Sequence, residues 1–208
     1  MTPPVGFRPV QLATLVDTAP AGDDWLHETK YDGYRCLLVK DGARITAYTR
    51  YGNDWSERFR TIVEAGAALP ARTAVLDGEV VVLGAGGRSD FAKLQNAMRE
   101  AARLDFYAFD LLAVDGEELA GRPLAERKAR LETLLNGLPR GSRLHYSAHR
   151  VGGGAEALAE ACQRKLEGII AKRADAPYAA GQTRYWLKSK CPKWRKANKD
   201  RWRIFEQA

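Results

Sequence analysis

What this sequence has little of narrows it first. Cysteine occurs only at Cys36, Cys162 and Cys191, with neither the close pairing of a zinc site nor the even count of a disulfide framework. The expectation is three free thiols in a reducing compartment. No uninterrupted apolar run approaches the ~20 residues that span a bilayer, and the opening "MTPPVGFRPVQLATLV" places prolines where a signal peptide would carry its apolar stretch. The protein is expected to be soluble and cytoplasmic, with no membrane among its partners. Low-complexity linkers and internal repeats are absent too, which leaves one continuous domain as the simplest parse. Two phosphate-binding signatures are missing: there is no G-x-x-x-x-G-K-[ST], and Gly152, Gly153 and Gly154 do not follow a strand at dinucleotide-fold spacing. Any nucleotide must be held in another way.

What is present is a chain of 208 residues, 45% hydrophobic, which is enough for a sizeable core. Lys and Arg outnumber Asp and Glu by 33 to 26, and the resulting charge of +7 favours anionic partners, nucleic acid or nucleotide foremost. "YRCLLVKDGARITAYTR" reads as two β-rich runs around Asp41 and Gly42, a pair suited to a tight hairpin. "ERFRTIVEAGAAL" carries Phe59, Ile62, Val63 and Leu69 at a roughly helical period, whereas "TAVLDGEVVVLG" and "RLDFYAFDLLAVDG" read as strands. "PLAERKARLETLLN" is the clearest amphipathic helix, with Leu124, Leu131, Leu134 and Leu135 on its apolar stripe, and its charged face needs no function. A further helix over "GGGAEALAEACQRKL" is followed by the apolar strand "GIIAK" and by "RYWLKSK". The pattern predicts an α/β (α+β) fold with much antiparallel pairing, without the regular alternation of a doubly wound parallel sheet.

The stretch "KYDGYR" at 30–35 combines a lysine, an Asp-Gly pair and an arginine. Asp-Gly also occurs at 41–42, 77–78 and 115–116, where turns or strands explain it, so the dipeptide alone carries no function. The fuller pattern resembles the nucleophile motif of the covalent nucleotidyltransferases, namely ATP-dependent DNA ligases, RNA ligases and capping enzymes. Further blocks follow in that family's order: "TRYGNDWSERF" (49–59), "LDGEVV" (76–81), "YAFDLL" (107–112), "EGIIAKR" (167–173) and "YWLKSK" (185–190). The run "EGIIAKRADAPYAAGQTRYWLKSKC" is similar to the ligase domain of bacterial end-joining DNA ligases, and the likeness extends from about Leu26 to Cys191. It implies a nucleotidyltransferase, or ATP-grasp-like, ligase catalytic domain with antiparallel sheets flanked by helices, over residues 1–191.

The same resemblance implies roles. Lys30 would attack the α-phosphate of ATP to form a lysine–AMP phosphoramide. Attack needs the free amine, which neighbouring cations favour; the matched cations are Arg35, Lys172, Lys188 and Lys190, with Lys188 and Lys190 joining Lys30 as catalytic residues. Alternation in "WLKSK" sets Lys188 and Lys190 on one side of a strand; a solvated lysine stripe is the plain alternative. Glu79 and Glu167 are acids in apolar strand runs, costly unless paired or metal-bound. Glu79 would contact ribose or help hold metal and Glu167 would bind Mg²⁺ or Mn²⁺, structural ion pairs being the alternative. Phe109 would stack on adenine or simply pack in the core. Arg50 would contact ribose or a DNA phosphate, Glu28 and Thr29 would bind nucleotide, and Trp186 would cap the pocket or support it. Asp32 would orient the lysine loop or serve a plain turn.

Ligases of this family continue into an oligonucleotide-binding barrel of the OB type. Here the eighteen residues "CPKWRKANKDRWRIFEQA" remain, too few for a five-stranded barrel with its own core. The expectation is a stand-alone adenylation domain with no OB-fold domain, plus a basic, aromatic tail over 192–208. Lys193, Trp194, Arg195, Lys196, Lys199, Arg201, Trp202 and Arg203 suit phosphates and bases; equally, Trp194, Trp202, Ile204 and Phe205 would close the core from an amphipathic helix. The expected function is a bacterial ATP-dependent DNA ligase-type adenylyltransferase that passes AMP to the 5′-phosphate of nicked or broken DNA during repair. A separate DNA-binding or end-joining protein would supply the clamp. Two alternatives stay open: a non-catalytic DNA-binding or partner-recruiting module, and an RNA ligase or capping-type enzyme.

Overall fold

A computed structural model describes residues 6–84, 87–98 and 104–198. Its strands form two sheets. The first contains β1 (Gln11–Leu15), β2 (Trp25–Thr29), β9 (His149–Val151), β10 (Gly168–Arg173) and β11 (Gly181–Lys190), in the order β1-β11-β10-β2-β9. β1 runs parallel to β11, and the other pairs are antiparallel. The second contains β3 (Tyr34–Asp41), β4 (Arg44–Thr49), β5 (Thr73–Val81), β6 (Asp105–Val114) and β7 (Glu117–Glu118), in the order β4-β3-β5-β6-β7, with β8 (Leu144–Tyr146) parallel to β6. The expected hairpin forms with its turn one residue on, at Gly42 and Ala43 between the paired Asp41 and Arg44, Gly42 at a φ of 59°.

The second sheet is covered on both faces, and its period-two sequences say which side chains go where. Cys36 and Leu38 of β3, with Ala74, Leu76 and Val80 of β5, enter the main core. There they meet α1 (Arg60–Gly66), α2 (Phe91–Ala97) and α3 (Leu124–Asn136) through Ile62, Leu94 and Leu131. The alternate residues Arg35 and Leu37 of β3, and Val75, Asp77 and Glu79 of β5, face the other way, where Leu37 and Val75 join Val10, Tyr48 and Leu112 in a smaller cluster. The first sheet rests its outer face on α4 (Gly154–Gln163), where Ala157 and Ala161 pack on Ile169. Its inner face looks toward Asp77 and Glu79.

One expectation is corrected. Cys162, in α4, and Cys191, just before α5 (Pro192–Ala197), are joined by a disulfide with a Cα–Cα distance of 5.3 Å, so only Cys36 is a free thiol. Residues 29 apart in sequence meet because β10 and β11 fold back between them, a tertiary event that local spacing does not report. The charged residues of α3 are not all solvated surface: Arg127 and Lys128 are 0% and 1% exposed. They follow Leu124 by three and four residues and precede Leu131 by four and three, so they lie on the buried stripe itself. Among the described residues no helix is long and apolar enough to cross a membrane.

Candidate active site

The chain passes from the first sheet to the second through residues 30–33, and this crossing defines a cleft. Lys30 follows the last residue of β2, and its backbone N–H donates to the Gly168 carbonyl at 3.0 Å, which pins the crossing to β10. Gly33 lies where a Cβ would meet the Val80 carbonyl oxygen at 2.1 Å, so only glycine lets the chain enter β3 this close to β5. The cleft holds about 480 Å³ of empty space, part of it open to solvent, and Glu28, Thr29, Lys30, Arg35, Glu79, Phe109, Lys172 and Trp186 line it.

At its mouth one carboxylate serves two amines. Glu167 Oε2 lies 2.8 Å from Lys30 Nζ, and its Oε1 lies 2.8 Å from Lys190 Nζ. Glu167 was expected inside a strand run; it stands one residue before β10 and is 3% exposed at its side chain. It is held there by close backbone approach, because a Cβ on Gly168 would meet the Ser189 carbonyl at 2.0 Å and Cys191 N–H donates to the Glu167 carbonyl at 2.9 Å. Trp186, Lys188 and Lys190 alternate along β11 and share its cleft face. Burial lowers the Lys188 amine below the ordinary lysine range, helped by Lys30 and Arg50; burial lowers Lys190 too, against the pull of Glu167. Across the cleft, burial first, then Glu167 and Asp32, push the Glu79 carboxyl up to about 7 although Lys30 and Arg35 oppose it.

The aromatic wall is made by a β-bulge. Phe109 is the extra residue between the Gly78–Ala108 and Asp77–Asp110 pairs of β5 and β6, which breaks the alternation and turns Phe109 toward the first sheet. There it meets Trp186 edge-on, ring centroids 5.8 Å apart. Two cations stack on the pair: the Arg35 guanidinium lies 4.5 Å from the Phe109 centroid, and Lys172 Nζ lies 4.2 Å from both rings. Arg35 is fixed by a two-point ion pair to the buried Asp77, 2.5 and 2.6 Å, and Tyr178 Oη donates to the same carboxylate at 2.6 Å. Asp77 raises the already high basicity of Arg35 despite its burial.

Beneath this wall, Glu28 Oε1 lies 3.0 Å from both Lys128 Nζ and Lys172 Nζ, and Glu28 Oε2 accepts from Ser147 Oγ at 2.9 Å. Burial would raise the Glu28 carboxyl, but the two lysines overcome it and hold it below the usual range. Lys172 titrates at about 8 because burial outweighs the attraction of Glu28.

The structure thus brings eleven of the twelve sequence-predicted site residues around one cleft; Arg50 stands apart. It is exposed at the end of β4, with its guanidinium 4.4 Å from the Tyr51 ring, beside a shallow groove that includes Phe7 and Leu12. Asp32 N–H donates to Ser89 Oγ at 3.0 Å, which ties the lysine loop to the segment before α2. Sequence reading missed Asp77, Lys128, Ser147 and Tyr178. For Lys128 the helical period was a usable signal; for the others none is visible without the fold. Within the tail, Trp194 packs against the α4 cluster and lies 4.8 Å from Lys190 Nζ. Lys199, Arg201, Trp202, Arg203, Ile204 and Phe205 lie outside the described residues.

A family model described as ATP dependent DNA ligase domain matches residues 11–190. The multifunctional non-homologous end joining protein LigD of Pseudomonas aeruginosa is 40% identical over 183 residues, covering 87% of this chain and 22% of that protein. Two solved structures are also similar. A mycobacterial DNA ligase D complexed with ATP and MES superposes with a TM-score of 0.75 at 35% identity, covering 87% of this chain and 59% of that one. The ligase domain of M. tuberculosis LigD gives 0.77 at 34% identity, covering 87% and 60%. The chain spans about a fifth of the length of the first curated relatives it matches, 21–22%.

Proposed function

The chain belongs to the ATP-dependent DNA ligase domain family, and from that premise we propose that it is an adenylyltransferase that loads AMP onto Lys30 and passes it to a DNA 5′-phosphate for strand joining in repair. The observation that carries this reading is the placement of Lys30: its amine lies at the mouth of the cleft, on a carboxylate shared with Lys190. Lys188 stands on the same face and a two-ring wall lies behind.

In the first step the Lys30 nitrogen attacks the α-phosphorus of ATP. A P–N bond forms, the bond to the bridging oxygen breaks, pyrophosphate leaves, and the amine's proton is lost. Lys188 and Lys190 stabilise the charge that builds on the phosphate oxygens, where fixed, partly desolvated cations act most strongly. Arriving phosphate gives Lys30 and Lys190 an anionic alternative to Glu167, which releases that carboxylate. Phe109 and Trp186 hold the base by stacking, Arg35 and Lys172 supply charge beside it, and Glu28, Thr29 and Glu79 complete the nucleotide contacts. Mg²⁺ suits the donor set, since such an ion takes one or two carboxylates, here Glu79 and Glu167, and fills its remaining positions with water and substrate phosphate. When bound it would neutralise charge on the phosphate oxygens; among the described residues no group of three or more protein ligands would hold a metal alone.

In the second step an oxygen of the DNA 5′-phosphate attacks the Lys30-bound AMP phosphorus and the P–N bond breaks; in the third, the adjacent 3′-hydroxyl displaces AMP. We take residues 1–191 as the adenylation unit and 192–208 as a basic, aromatic extension toward DNA, with Arg50 a second phosphate contact and a separate end-joining protein as the clamp. Incubation with α-labelled ATP and Mg²⁺, followed by a denaturing gel, is expected to label the chain covalently and to lose the label in Lys30→Ala. Label that survives Lys30→Ala, or none in wild type, overturns the reading. A nicked duplex in the same reaction reads the later steps.

A further inference from the structure

Three buried groups under the cleft have charges that do not cancel. Glu28 contributes one negative charge, and Lys128 and Lys172 one positive charge each, both ammonium groups 3.0 Å from the same carboxylate oxygen. All three side chains are 1–2% exposed, so water screens them little. Lys128 is fixed from three sides: it donates to the Ser147 carbonyl at 2.6 Å, pairs with Glu28, and lies 4.3 Å from the Tyr146 ring centroid. It does not line the cleft. Lys172 does, and among the described residues its only other acceptor contact is the Phe109 carbonyl at 3.4 Å.

We propose that Lys128 is a positioning residue for nucleotide binding, which by sharing the Glu28 carboxylate leaves the Lys172 ammonium with net positive charge aimed into the cleft between Phe109 and Trp186. Without Lys128, Glu28 and Lys172 would form a neutral pair at the 3.0 Å contact they already make, and the cleft would lose its buried positive charge toward an anionic ligand. The inference rests on the nucleotide-binding reading above but not on covalent chemistry at Lys30.

The groups that act on Lys172 are Glu28 from β2, Lys128 from α3 and Asp110 from β6; Glu28 in turn faces Tyr31, Tyr146 and His149. Of these, Lys128 disfavours a charge on Lys172 while Glu28 and Asp110 favour it. Removing Lys128 therefore leaves Lys172 protonated to higher pH, and two signatures follow together. ATP binding at pH 7 weakens, and the alkaline limb of the binding curve, at about 8 from Lys172 in wild type, moves upward.

Equilibrium ATP binding is measured by calorimetry from pH 6.5 to 9.5 on the full chain, alongside α-labelled ATP labelling, for wild type, Lys128→Gln, Lys128→Met and Lys128→Arg, each checked for folding by circular dichroism. Lys128→Gln and Lys128→Met are expected to raise Kd on the order of tenfold and to shift the limb alkaline, with kcat for labelling at saturating ATP little changed. Lys128→Arg, which keeps the charge, is expected to restore wild-type Kd within about threefold. Folded Gln and Met variants with unchanged Kd and limb overturn the proposal, as does failure of both to fold, which would assign Lys128 to the scaffold. Wild type that binds ATP without being labelled sinks the Lys30 reading and leaves this one to the binding data; wild type that does not bind ATP sinks both.

Discussion

Glu79 retains its proton to higher pH than a free carboxyl would, and this has a consequence for stability. Its carboxyl titrates at about 7 in the fold against 4.5 ordinarily, burial being the largest cause. Between those values the folded chain binds more protons than the unfolded one, so this group's contribution to stability falls as pH rises through the window. Above it, ionised Glu79 costs the fold on the order of 1–3 kcal/mol, discounted for the solvent that reaches the cleft wall. Glu79→Gln is therefore expected to melt higher than wild type at pH 8, to match it at pH 4, and to lose adenylate labelling. Equal melting at pH 8 would show that Glu79 ionises without strain. The residue was legible in "LDGEVV" because an acid in an apolar strand invites explanation. Its neighbour Asp77 was not, because an Asp-Gly pair that recurs along the chain carries no signal by itself, and only the fold shows its side chain in β5 anchoring Arg35.

At the scale of elements, α4 and β11 converge beside Glu167, and the Cys162–Cys191 disulfide ties their ends together. Closing a loop with a sequence separation of 29 removes entropy from the unfolded chain worth about 3–4 kcal/mol in the loop-closure account. Urea denaturation with and without dithiothreitol is expected to show a loss of that order, and Cys162→Ser should reproduce it without reductant. An unchanged midpoint on reduction would mean that the cysteines contribute as thiols. Helix α3 shows the reverse relation between sequence and structure. Its Leu124, Leu131, Leu134 and Leu135 stripe was plain, and the same period carries Arg127 and Lys128 inward. The fold can bury them because β6 and β2 present Asp110 and Glu28 opposite; Arg127 pairs with both oxygens of Asp110, at 2.7 and 2.8 Å. A buried cation is tolerated only with such a partner, and the partner comes from elsewhere in the chain.

For the whole molecule, the charge of +7 is a long-range property that needs no fold to compute. If it serves DNA, affinity for a nicked duplex should be electrostatic in origin. Raising salt from 50 to 200 mM is expected to weaken binding roughly tenfold or more, since each neutralised phosphate contributes ~0.9 to the logarithmic slope. A flat response in a gel-shift or anisotropy titration would exclude phosphate contacts as the source of affinity. The two sheets meet through few covalent links near the cleft, residues 30–33 among them, and through the Arg35, Asp77, Tyr178 and Gln11 contacts. Tyr178 Oη accepts from Gln11 N–H at 2.9 Å while donating to Asp77, so β1 and β5 share one phenol.

Sequence by itself determined the family, through an ordered series of blocks that begins with a lysine before Asp-Gly, and offered its candidate residues, two acids in apolar company and alternating lysines in "WLKSK" among them. These are local patterns, set by residue type and spacing, and they survive without coordinates. Tertiary structure decided what each charge faces. Which carboxylate holds Lys30, why Lys172 carries charge between two rings, how Cys162 finds Cys191 and why Lys128 is buried all depend on strands from two sheets meeting. Coulombic and desolvation energies depend on distance and burial, which spacing along the chain does not supply.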